Sequence, residues 1–386
     1  MKNIFTPNVR RLSLSLSISL GFIALPSVAR AASISPDSFE ATIGINETTF
    51  VDKTVTLDAS GVSKVDLLFL ADNTGSMGGV INSVKAEASS ILADFESAFS
   101  DIDFGVARYL RDPSESSFVG SGDNAYELLT PISSDNTAVT AGIDSWFASG
   151  GGDFPEANLY ALQQAATEGK DTPSGVGGGA KTGWREGAKR VIAIFGDAPG
   201  HEETITLTET IAALTAEDIT VALLNSSGAG FGLDDGDGFG ATNQASAIAD
   251  ATNGVLVNNF RTADVKAELL DAIGEVTSTV NLAEAFTVDG DASGVEVAFT
   301  CTDAAGCDEV GGGESRDFRV SFKGTAPGTF AFETRFTGIL ASESDLITVT
   351  GGTSSEEVPT PALLPGLIGM GAAALRKRKG EETAEA

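Results

Sequence analysis

The sequence predicts an α/β fold: a Rossmann-like domain with a mostly parallel central sheet, inserted in or flanked by a small β-sandwich. Three observations lead there. Between residues 65 and 280 short apolar runs alternate with segments of helical period, the pattern of strands joined by crossover helices. On either side, in residues 33–57 and 281–350, the pattern changes to two-residue alternation without helical period. The first apolar run ends in Asp72, Thr74 and Ser76, three oxygen-bearing side chains at every second position. They follow a strand at its carboxyl end, where α/β sheets place ligand sites.

Residues 65–71 are apolar apart from Asp66 and predict a buried first strand. Val80, Ile81, Val84, Ala88, Ile91, Leu92 and Phe95 recur at helical spacing, so residues 80–99 predict the first helix. A strand over 104–110, an edge strand over 125–132 and helices over 137–147 and 155–167 follow. Residues 169–183 are rich in Gly, Pro and Ser and predict a mobile surface loop. A central strand over 190–195, a helix over 203–216, a strand over 219–224, a helix over 243–252, a strand over 254–257 and a last helix over 262–280 complete the domain.

The flanks alternate. Val51, Val55 and Leu57 fall on one face, with Asp52, Thr54 and Thr56 on the other. Farther on, Val295, Val297 and Phe299, then Phe318, Val320 and Phe322, then Phe330, Phe332 and Phe336 repeat the pattern. The C-terminal portion alone supplies enough strands for a small sandwich. The N-terminal flank either joins that sandwich, making the α/β domain an insertion like that of integrin β subunits, or lies along the α/β domain as an arm. Cys301 and Cys307 are the only cysteines. In an oxidising compartment their spacing closes a small loop through a disulfide. They do not complete a zinc site, because the one histidine, His201, is far away in sequence.

Both ends of the chain read as targeting segments. Lys2, Arg10 and Arg11 precede a serine-diluted apolar run, and Ala29 and Ala31 form a small-residue site. Residues 1–31 therefore predict a secretory signal peptide, cleaved after Ala31. At the other end a polar linker, 351–357, leads to Pro359, Thr360, Pro361 and Ala362, an apolar run and the basic cluster Arg376, Lys377, Arg378 and Lys379. Residues 362–375 predict a short transmembrane segment with its cations left inside. The tail, 358–386, resembles the PEP-CTERM bacterial sorting signals in their Pro-Thr-Pro-Ala variant. That resemblance implies a transient membrane tether, processing near Pro359–Ala362 by a peptidase of exosortase type, and export to the bacterial cell surface, outer membrane or extracellular matrix.

The formal charge of −30 sets the protein against nucleic acid and anionic lipid. The expected layout is a 32–62 β flank, a 63–280 α/β domain and a 281–350 β-sandwich module.

Asp72, Thr74 and Ser76 offer one carboxylate and two neutral hydroxyls, a hard-oxygen partial shell of the kind Mg²⁺ accepts, and Gly75 permits the turn between them. This loop resembles the metal-ion-dependent adhesion site of the von Willebrand factor A family, with Thr74 in place of the middle serine. Two further loops match. The segment around Asp153, Pro155 and Glu156 resembles the Asp-x-Pro-Glu segment of integrin β domains, which implies Glu156 as a ligand; the same residues also spell a helix cap. Asp197, directly after a central strand, corresponds to the family's third-loop aspartate. The resemblance thus implies Mg²⁺ or Mn²⁺ held by Asp72, Thr74, Ser76, Glu156 and Asp197, and a second, calcium site on Asp112, Asp153 and Glu156. Gly151 stands where that family offers a further amide ligand. An acidic run from Asp234 to Asp237 reads as a flexible loop, because it lacks the distal glutamate of a calcium-binding hand.

An ion held by few protein anions keeps an electrophilic position open, so the resemblance implies metal-dependent adhesion to an extracellular or surface protein that offers a carboxylate. Two other classes compete. One is a structural matrix component whose metal stabilises the fold. The other is a metal-dependent hydrolase, set aside because the sequence has one histidine and no Gly-x-Ser-x-Gly elbow.

Overall fold

The computed structural model describes residues 32–351, apart from 59–60, 116–124, 152–153, 171–179, 229–231 and 236–242. The signal peptide, the sorting motif Pro359–Ala362, the segment 362–375, Asp153 and most of the glycine-rich loop lie outside the described residues.

The N-terminal flank forms β1 (Ser33–Ser35), β2 (Ser38–Gly44) and β3 (Thr48–Thr56). The α/β region follows as β4 (Lys64–Asp72), α1 (Gly78–Ala98), β5 (Asp101–Tyr109), β6 (Glu127–Ser133), α2 (Asn136–Asp144), α3 (Asn158–Thr167), β7 (Lys189–Gly196), α4 (Leu207–Ala216), β8 (Ile219–Asn225), α5 (Gln244–Ala251), β9 (Val255–Asn258) and α6 (Val265–Thr277). Its sheet runs β6-β5-β4-β7-β8-β9. All pairings are parallel except that of β6, the edge strand.

Successive side chains of β4 feed two apolar layers. Leu67, Phe69 and Ala71 join the layer that holds Ile91 and Phe95 of α1 and Leu269 and Ile273 of α6. Leu68 and Leu70 join the opposite layer with Leu159 and Leu162 of α3, Leu214 of α4 and Ile248 of α5. Burial on both faces explains why the strand reads as a continuous apolar run.

The remaining chain forms β10 (Thr279–Val280), α7 (Leu282–Ala285), β11 (Phe286–Gly290), β12 (Val295–Cys301), β13 (Val310–Gly311), β14 (Ser315–Gly324), β15 (Gly328–Phe336) and β16 (Ser342–Thr350). With the N-terminal strands it makes two four-stranded sheets, β1-β3-β14-β12 and β11-β15-β16-β2. Each sheet therefore contains strands from both flanks: β3 lies antiparallel to β14 and β2 parallel to β16. The two sheets meet through aromatic rings, Phe39 on Phe322 at 5.3 Å and Phe318 on Phe336 at 5.3 Å between centroids. Cys301 and Cys307 form the expected disulfide.

Several predicted boundaries move. α3 begins at Asn158 rather than 155, with Ala157 as its N-cap and no side-chain cap; Asp153, the other half of the predicted capping box, lies outside the described residues. Glu156 is instead drawn into an extended bridge beside Gly200. α4 begins at Leu207, because a capping box of Thr206 and Glu209 starts it there. α6 ends at Thr277, since Thr279 and Val280 pair with β13. Asp234 is no flexible loop residue: its two oxygens accept the Ser246 N–H at 2.7 Å and the Ser246 hydroxyl at 2.9 Å at the start of α5. Among the described residues no helix is long and apolar enough to cross a membrane.

The two regions join at the amino end of β4. There Ser63 and Lys64 donate their N–H groups to Gly338 O, and Gly338 donates to Gly187 O. The carboxyl end of β4, with Asp72, faces away from that junction.

Candidate metal centre

β4 delivers Asp72 fully buried, at 0% exposure. Its Oδ1 accepts the Thr74 N–H at 2.7 Å. Its Oδ2 is enclosed and has no hydrogen-bond partner among the described residues. Past Thr74 the chain makes a 3₁₀ turn, Gly75–Met77, into α1. That turn brings Thr74 Oγ1 within 3.2 Å of Ser76 Oγ, and Ser76 Oγ donates to Asp197 Oδ1 at 3.1 Å. Asp197 stands just past β7, the neighbour of β4 in the sheet. The loop thus reaches the aspartate of the next through Ser76, which is exposed and touches the buried Thr74.

The Glu156 loop is strapped against the Asp197 loop. Glu156 donates its N–H to Pro199 O at 2.8 Å, and His201 donates its N–H to Glu156 O at 2.9 Å. Gly151 shows how closely Glu156 and the first loop approach each other. A Cβ built on it would lie 3.4 Å from Glu156 Oε1 and 3.4 Å from Thr74 Cβ, and its φ of +77° favours glycine.

Electrostatics gives the same convergence. Burial drives the Tyr109 phenol, at the end of β5, well above its ordinary range, and Asp72, Glu156 and Asp197 each push it further. Burial raises Asp72 to about 7, and Asp197 is raised for the same reason. Among the described residues no lysine, arginine or histidine pairs with Asp72 or Asp197. A buried carboxylate that lacks a countercharge is costly. An oxygen without a partner, two hydroxyls and a nearby second carboxylate fit a small, hard divalent cation. Among the described residues no three His, Cys, Asp or Glu side chains gather as a metal-ligand cluster.

The predicted second site is only partly gathered. Asp112 is buried, and its Oδ1 accepts the Ser114 N–H at 2.8 Å, the Ser114 hydroxyl at 2.7 Å and the Thr204 hydroxyl at 2.5 Å. Asp112 Oδ2 has no hydrogen-bond partner among the described residues.

Sequence reasoning passed over the groups that hold the loops. Asn73 donates its N–H to Tyr109 O and accepts the Ser149 N–H, while Gly75 donates to Gly150 O. Gln244, buried at the start of α5, closes a two-way clamp on Gly200: its Oε1 accepts the Gly200 N–H at 2.7 Å and its Nε2 donates to Gly200 O at 3.0 Å. No periodic signal marks such residues, because each is polar, buried and outside an apolar repeat.

No family model matches the chain, and no curated protein matches it. Among solved structures it is similar to a von Willebrand factor type A protein from Catenulispora acidiphila, with 13% identity over 84% of this chain and 76% of that one and a TM-score of 0.39. It is also similar to the pilus adhesin SpaC from Lactobacillus rhamnosus GG in its open conformation, with 11% identity over 82% of this chain and 48% of that one and a TM-score of 0.34. A second form of that adhesin gives 12% identity, 82% and 49% coverage and a TM-score of 0.34. The chain spans about half the length of the pilus adhesin.

Proposed function

We propose that this chain is an exported, surface-held binding protein whose Asp72 loop holds a divalent cation and, through it, a partner's carboxylate. In this reading the α/β region is a von Willebrand factor A-type domain carried by a β-sandwich, and the PEP-CTERM-like tail delivers it through an exosortase-type peptidase to the cell surface. The observation that carries the reading is the enclosed Asp72 oxygen without a partner, set beside the hydroxyls of Thr74 and Ser76 and the Asp197 carboxylate.

Asp72, Thr74 and Ser76 hold Mg²⁺ or Mn²⁺ directly, while Asp197 and Glu156 complete or orient the shell. When bound, such an ion would supply positive charge that a partner's carboxylate can meet. Thr74 and Ser76 contribute no charge, so the ion stays electron-poor and an incoming carboxylate binds strongly. Phe154, on the same loop as Glu156 and 56% exposed, offers the partner an apolar contact beside the ion. The role is binding rather than turnover.

Calorimetric titration with Mg²⁺, Mn²⁺ and Ca²⁺, run on the wild type and on Asp72→Ala, tests this. Binding by the wild type, its loss in the variant, and matching melting curves in chelator support an adhesive site. A wild type that unfolds when chelator strips the ion points instead to a fold-stabilising metal in a matrix component. A wild type that binds none of the three ions overturns the metal-dependent reading.

A further inference from the structure

The interior of the β sheets contains a charged group that the site does not use. In β3, alternation puts Val51, Lys53 and Val55 on one face, so the lysine points inward with the valines. In β16 the same alternation turns Glu343, Asp345, Ile347 and Val349 inward. The two strands belong to different sheets, and between them Lys53 Nζ pairs with Glu343 Oε1, both side chains at 0% exposure. Lys53 Nζ also donates to Pro36 O at 2.7 Å. Thr334 Oγ1, from β15, lies 3.0 Å from Glu343 Oε2 and 3.2 Å from Asp345 Oδ2, tying the two carboxyls together.

One amine thus faces two carboxyls inside an interior that is otherwise aromatic and aliphatic. Burying an ion pair costs several kcal/mol per ion in desolvation, and a second carboxylate beside it would add an unpaired charge. One carboxyl must therefore keep a proton. Glu343 takes the pairing with Lys53, so the proton falls to Asp345, which burial and then the neighbouring Glu343 push up, to about 8.

We propose that Lys53 and Glu343 condense into an intramolecular amide, a self-formed cross-link between the two sheets, with Asp345 as the proton donor. The reaction needs no oxidant and no cofactor. One proton passes from the Lys53 ammonium to the Glu343 carboxylate, leaving a neutral amine against a carboxylic acid. The Nζ lone pair attacks Cδ while the Asp345 proton polarises the carbonyl oxygen. The C–O bond to the protonated hydroxyl breaks, a proton leaves Nζ by way of Asp345, and one water departs. The products are an Nζ–Cδ amide, one water and Asp345 in its starting state. Holding both partners in contact replaces the encounter of separate reactants and removes its entropic cost from the barrier. The amide also buries no formal charge, whereas the ion pair buries two.

The cross-link connects the strand just before the inserted α/β region to the last strand of the described chain. It rests on no assumption about the Asp72 site.

Proteolysis and tandem mass spectrometry of the purified full chain test it. The expected result is a joined pair of peptides, one containing Lys53 and the other Glu343, lighter than their sum by one water. Lys53→Arg gives the two peptides separately at full mass. Glu343→Gln gives the same joined pair, formed with loss of one ammonia instead. Asp345→Asn leaves most chains unjoined. Separate, full-mass peptides in the wild type overturn the proposal and leave an ion pair only. A water loss that persists in Lys53→Arg belongs to other residues and overturns it equally. A fully joined Asp345→Asn chain removes Asp345 from the chemistry.

Discussion

Strand β4 buries an aspartate near each end, and their surroundings differ in one respect. Near its amino end Asp66 accepts the Arg185 N–H at 2.6 Å and Arg185 Nε at 2.5 Å. The same guanidinium reaches Asp101 at 2.5 Å and Val65 O at 2.8 Å. At the carboxyl end Asp72 is met by Thr74, through its N–H and its side chain, and by no cation among the described residues, and its Oδ2 has no hydrogen-bond partner there. Both are fully enclosed. An enclosed carboxylate with its cation built in belongs to the architecture, and here it sits beside the junction between the two regions. Under the proposed function, the one without such a cation takes its charge from outside.

The widest test of that contrast is Arg185→Met, which strands Asp66 without its cation. We expect a loss of about 3 kcal/mol in chemical denaturation, since removing one partner of a buried pair leaves an uncompensated charge. Asp72→Asn in chelator should do the opposite or nothing, shifting stability by less than about 1 kcal/mol, because the site has no internal partner to lose. A loss as large as that of Arg185→Met would erase the distinction.

Excess Mg²⁺ should raise wild-type stability by about 2.7 kcal/mol at a hundredfold excess over Kd and leave Asp72→Asn unmoved, as read by differential scanning calorimetry. Gly151→Ala should cost about 1 kcal/mol, because alanine pays for the positive φ and crowds Glu156 and Thr74. It should also weaken ion binding, which the titration would show.

Asp345 extends the comparison to the β sheets, where it faces Glu343, Lys53 and Thr334. Its folded-state value of about 8 lies above the ordinary 3.8, so the native chain keeps a proton that the unfolded chain releases. Stability should therefore fall as pH rises from about 4 to about 8. Denaturant midpoints across that range should flatten in Asp345→Asn.

Much of the fold was legible because it follows from local repeats. The helical spacing of Val80, Val84, Ile91 and Phe95 marks α1, and the apolar run after Lys64, interrupted by Asp66, marks a strand buried on both faces. The Asp72, Thr74 and Ser76 triplet was legible for the same reason, since its spacing lies within one loop. Glu156 was ambiguous because cap and ligand use the same residue types three positions apart. Its backbone pairing with Gly200 sets it ahead of α3, a long-range contact that no local pattern shows. Lys53 and Glu343 carried a signal that went unread: charged residues at the inward positions of alternating strands. Either one alone would have looked like an error in the alternation.

The sequence by itself determined the order of strands and helices, the split between an α/β stretch and alternating flanks, and the oxygen-rich loop after the first strand. These are properties of neighbours in the chain, set by period and turn chemistry. Tertiary structure alone decided that both flanks share two sheets and that Asp197 comes to Ser76. It also decided that Gln244 clamps the loop beside Glu156 and that a lysine meets two carboxyls in a dry interior. Each of these joins residues from separate parts of the chain, and their energy comes from burial and pairing that no local pattern encodes.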